Sequence, residues 1–97
     1  MDTAAETAIA TLLRETEAAH GAYETSALGG VFDEDWAAWY AVYLLDHGLE
    51  NQLPGAGSLN AETLTAMLTR LAAEYEQEET TGPWPDVYAR GIVAGFR

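Results

Sequence analysis

Apolar residues recur at three- and four-residue steps through four stretches of the chain, and none alternates as a half-buried strand would. The first stripe runs Ile9, Leu12, Leu13, Thr16, His20, Tyr23. Thr3 and Glu6 before it have capping-box spacing, in which each side chain satisfies a free N–H of the first turn, and Gly29-Gly30 ends the segment. The second stripe is Trp36, Trp39, Tyr40, Tyr43, Leu44, His47. Asp33, Glu34 and Asp35 supply a cap and favourable first-turn charge, and Gly48 is a natural stop.

After a loop at Leu53-Pro54-Gly55-Ala56-Gly57, a third helix is predicted from Ser58 or Asn60, either able to cap. Its stripe is Leu64, Met67, Leu68, Leu71, Tyr75. The acidic run Glu74, Glu76, Glu78 and Glu79 sits unfavourably against the helix dipole, so fraying is expected there. Thr80-Thr81-Gly82 breaks the helix. The fourth begins around Pro83 to Pro85, where proline suits a first turn, and carries Tyr88, Ile92 and Phe96. Gly91 and Gly95 share one side of it and would admit a closely approaching neighbour. The pattern predicts an all-α fold: four short helices around an aromatic core, as an up-down bundle or two stacked helical hairpins.

The segments Trp36-Ala37-Ala38-Trp39-Tyr40-Ala41 and Trp84-Pro85-Asp86-Val87-Tyr88-Ala89 share the pattern Trp-x-x-apolar-Tyr-Ala. Each follows a turn and an acidic helix containing Tyr-Glu, at Tyr23-Glu24 and Tyr75-Glu76. One domain over residues 1–97 is therefore expected, built from one hairpin used twice, about 3–48 and 58–97. The set Asp35-Trp36, Trp39-Tyr40-Ala41, Pro83-Trp84 and Tyr88-Ala89 resembles a family of small bacterial helical proteins to which no activity is attached. The resemblance implies a natural helical domain and contributes no site residues.

Composition narrows the functions. The 97 residues hold 16 acidic and 4 basic side chains, for a net charge of −12. Nucleic-acid binding needs clustered Lys and Arg at phosphates, and an anionic membrane surface repels such a chain. A hydrophobic content of 48% argues against disorder. Cysteine is absent, which rules out disulfides and thiolate zinc sites. The start Met1-Asp2-Thr3-Ala4-Ala5-Glu6 lacks a basic leader, and no apolar run nears the roughly 18 residues of a membrane span. The chain reads as cytoplasmic.

Candidate chemistry is sparse. Glu17 and His20 form a Glu-x-x-His on one helix face, with Glu24 one turn on, as metal-binding bundles arrange their ligands. Such a site needs further inward carboxylates and usually a second copy of the motif, which the chain lacks, so a boundary histidine satisfied by a carboxylate or water is expected, with no metal or other cofactor. His47 lies where an imidazolium caps a helix. Ser26 and Ser58 sit in no nucleophile elbow, and no phosphate loop exists. A non-enzymatic module is expected, docking a partner protein, or itself as a homodimer, through an aromatic patch with an acidic rim. Trp39, Tyr43, Trp84 and Tyr88 are the candidate contacts, and Glu74, Glu76, Glu78 and Glu79 the acidic patch. The alternatives are an acidic nucleic-acid mimic that inhibits a nuclease or DNA-binding protein, and a small metal- or ligand-dependent enzyme.

Overall fold

A computed structural model describes residues 3–31, 33–53, 59–77 and 82–96. The four expected helices are α1 (Thr3–Ala27), α2 (Trp36–Asp46), α3 (Ala61–Gln77) and α4 (Trp84–Gly95). The described residues contain no strand. At 25 residues α1 is not short; no proline or glycine pair interrupts it before Gly29-Gly30, both of which are left-handed. The helices form an up-down bundle in which each touches its two sequence neighbours around a ring. The closest packing is between hairpins, α1 on α4 and α2 on α3.

The helix ends follow from local chemistry, with some changes of cast. The Thr3 side chain, and with it the expected capping box, lies outside what is described. Asp35 occupies the cap position of α2 but makes no side-chain cap bond. Asp33 does that work: its Oδ1 accepts the Asp35 N–H at 2.9 Å and its carbonyl the Trp36 N–H at 3.2 Å, an Asx turn leading into the helix. Helix α2 stops at Gly48, at a φ of 92°. His47 Nδ1–H donates to the Tyr43 carbonyl at 2.8 Å, a capping role. Asn60 caps α3, its Oδ1 accepting the Thr63 N–H at 3.0 Å while Thr63 Oγ1 accepts the Asn60 N–H at 3.2 Å. The other candidate cap, Ser58, lies outside the described residues, as do Pro54 to Gly57.

A 3-10 turn at Leu49–Gln52 follows α2 and was not expected. It drives Leu49 and Leu53 into the core.

The bundle is polarised along its length. The fully buried large side chains are aliphatic: Ile9, Leu13, Leu44, Leu49, Leu64, Leu68 and Ile92. They lie in the first halves of α1 and α3, the second halves of α2 and α4 and, for Leu49, the 3-10 turn after α2, at the end away from the interhelix turns after α1 and α3. The aromatic cluster caps the opposite end, where both hairpins turn. The expected aromatic core is thus an aromatic end, with Trp36, Trp39, Tyr75 and Trp84 only partly buried. Rings with a polar tip favour such a boundary, where one edge stays wet. Ala41 and Ala89, which follow the two echoed tyrosines, are fully buried and let neighbouring helices close in.

Candidate functional site: an aromatic groove at the turn end

The two Trp-x-x-x-Tyr echoes occupy equivalent places, each in the first turns of the second helix of its hairpin. Trp36 meets Tyr40 edge to face, with centroids 5.3 Å apart and planes at 85°. Trp84 meets Tyr88 the same way, at 5.0 Å and 70°. The pairs face each other, Tyr40 and Trp84 being 6.4 Å apart. Between them lies a groove of about 540 Å³. His20 and Gly21 of α1 and Ala72 of α3 line it with these rings and Tyr75. Glu17, Glu24 and Glu76 complete the lining.

Both hairpins are tied together beside the groove. Tyr75 donates its hydroxyl to the Gly82 carbonyl at 2.8 Å, tying α3 to the residues that lead into α4. The α1–α2 turn is held by Asp33, whose N–H donates to Glu24 Oε2 at 3.1 Å and whose Oδ2 lies 2.9 Å from His20 Nε2. The His20 ring is buried against Trp39 and Tyr40, at centroid distances of 4.9 and 5.2 Å. The hydrogen bond from His20, with the Asp35 N–H adding to it, holds the Asp33 carboxyl below its ordinary pKa despite partial desolvation.

The groove's electrostatics are negative. Burial, reinforced by Glu17 and Glu24, pushes the Tyr40 hydroxyl up to about 12. Tyr88 shifts in the same direction, by burial first and then by Glu76 and Tyr75. The hydroxyls of Tyr40 and Tyr88 and the indole N–H groups of Trp36 and Trp84 have no hydrogen-bond partner among the described residues, and none is sealed from solvent.

The four expected contact residues divide between two faces. Trp84 and Tyr88 belong to this groove, although Tyr88 is largely buried. Trp39 and Tyr43 line a second depression of about 500 Å³ with Tyr23, Val42 and His47. There the rings stack into a ladder: Tyr23 on Trp39 at 5.4 Å, Trp39 on Tyr43 at 5.5 Å, Tyr43 on His47 at 3.8 Å. Trp36, Tyr40 and Tyr75 are the groove residues that the choice from sequence passed over. The echo itself pointed to Trp36 and Tyr40, the counterparts of Trp84 and Tyr88.

Of the acidic patch, Glu76 lines the groove, Glu74 reaches back to Arg70 at 3.7 Å, and Glu78 and Glu79 lie outside the described residues. Of the three candidate ligands, His20 is engaged by Asp33 and stands 3.9 Å from Glu24 through Nδ1, while Glu17 is exposed. Among the described residues no three His, Asp or Glu side chains converge as a metal site would require. The Ser26 hydroxyl donates to the Ala22 carbonyl within its own helix. No described helix is long and apolar enough to cross a membrane. Comparison with known protein families, curated proteins and solved structures finds no match.

Proposed function

We propose that the protein is a non-enzymatic interaction module that docks a partner protein through the groove between its two Trp–Tyr pairs. The observation that carries this reading is Gly21. It lies in the interior of α1, lines the groove, and a Cβ built on it would meet nothing within 4 Å. Internal packing therefore gives no reason for a residue that costs a helix about 1 kcal/mol relative to alanine. A glycine at such a place leaves the backbone open to close approach from outside. The partly exposed rings around it, Trp36, Tyr75 and Trp84, are side chains that protein interfaces favour.

The test is a plug that spares the fold. Gly21→Leu introduces a good helix former whose side chain occupies the groove; Gly21→Ala is its control. Immobilised wild type, Gly21→Ala and Gly21→Leu are compared for specific capture from a lysate of the source cells. The reading expects a partner held by the first two and lost by Gly21→Leu, whose melting temperature stays at or above that of wild type. Equal capture by a folded Gly21→Leu variant would exclude the groove.

A further inference from the structure

We infer that the occupant of the groove is an arginine side chain presented by a basic segment of the partner protein. The inference rests on the docking reading above and adds the chemistry of what is docked. A surface of aromatic faces edged by carboxylates selects a flat, weakly hydrated cation. Guanidinium stacks on indole and phenol faces, and its N–H groups reach carboxylates lying in the ring plane.

The groove supplies both halves of that match. Trp36 and Trp84 both line it, and carboxylates come from α1 and α3. Neither Glu17 nor Glu76 has an ion-pair partner among the described residues, so both exposed carboxylates are open to an incoming cation. The described arginines are engaged elsewhere. Arg14 reaches Asp86 at 3.5 Å, Arg70 pairs with Glu74, and Arg90 lies in a depression with Glu6. No described arginine lines the groove. A second copy of the chain is the wrong occupant on charge: each carries −12, and a symmetric dimer through this face would bring two acid-lined grooves together.

The three tryptophans make the test local, because Trp36 and Trp84 report the groove and Trp39 the other face. Indole N–H resonances of the full-length protein are followed while an uncharged-end Gly/Ser peptide with one central arginine is titrated. The same peptide with citrulline, the neutral isostere, is titrated alongside. The arginine peptide is expected to shift Trp36 and Trp84 but not Trp39, and to bind about tenfold tighter than the citrulline peptide, the scale of one desolvated cation–π contact. Glu76→Gln and Glu17→Gln should each weaken it without changing the melting temperature. Equal binding of the two peptides, equal shifts at all three indoles, or no shift at all would overturn the inference. If the partner is nonetheless lost by Gly21→Leu, docking stands and only the occupant is wrong; if Gly21→Leu captures normally, both readings fall together.

Discussion

Replacing Gly91 by alanine sets two sizeable effects against each other at one atom. A Cβ there would overlap Leu71 Cδ2 and stand 3.2 Å from Cδ1 and 3.4 Å from Cγ. The whole isobutyl group, not just its tip, has to move, and Leu71 is buried within the core cluster. Overpacking of this kind costs about 1–3 kcal/mol, and the triple approach puts the cost near 2. The helix gains about 1 kcal/mol from losing an interior glycine. The net expectation is a loss of about 1 kcal/mol, which for a domain of this size lowers the melting temperature by roughly 4–8 °C.

Urea denaturation followed by circular dichroism measures this, with two internal references. Gly21→Ala has open space around it and should show the helix gain alone. Gly95→Ala overlaps only the end of Met67, a half-buried and flexible thioether that can turn aside, so it should be neutral or stabilising. On a Leu71→Ala background the clash is gone, and Gly91→Ala should change sign to a gain of about 1 kcal/mol. If Gly91→Ala stabilises the wild type as much as Gly21→Ala does, the close approach of α4 to α3 is wrong.

Two titrations probe the turn end. The Asp33 carboxyl is held below its ordinary value of 3.8, so its stabilising effect is complete above that pH and is lost as pH falls through the lower folded value. Asp33→Asn keeps an Asx turn but removes the charge, and should flatten the acid limb of the stability profile below about pH 4; an unchanged limb would clear the His20–Asp33 contact of any such role. The Tyr40 hydroxyl is raised from 10.0 to about 12, so its effect is full below 10 and disappears as pH rises through 12. Tyr40→Phe should remove the last step of tyrosinate absorbance and shallow the alkaline loss of stability; an ordinary tyrosine titration would show that burial and the groove carboxylates do not act on it.

The helices were legible because each stripe carried enough turns to show its period. The 3-10 turn was not, since four residues carry no period and Leu49 looks like part of a loop. Periodicity tells each helix that it has an inner face but not which neighbour fills it, so the room made by Gly91 and Gly95 was readable while its user, α3, was not. Asp33 read as a cap from its position; its bond to His20, 13 residues away in sequence, needed the hairpin to close. The groove was half legible. The echo marked Trp36 with Trp84 and Tyr40 with Tyr88, yet Trp39 and Tyr43 share the same face of the sequence pattern and only packing separates the two surfaces. A further signal lay in the order of residue types, which runs aliphatic to aromatic in α1 and α3 and aromatic to aliphatic in α2 and α4. That mirror gathers Trp36, Tyr40, Tyr75, Trp84 and Tyr88 at one end, while Phe96 closes the other.

The same mirror divides labour within the chain. Ile9, Leu13, Leu44, Leu64, Leu68 and Ile92 form a sealed aliphatic half, apart from the half-exposed rings around Gly21. On the docking reading proposed above, substitutions in the two halves act on different properties: those among the leucines on how long the molecule survives, those among the tryptophans on what it holds. Such an arrangement makes the turn end a natural place to graft a new specificity, with the aliphatic half serving as an unchanged mount.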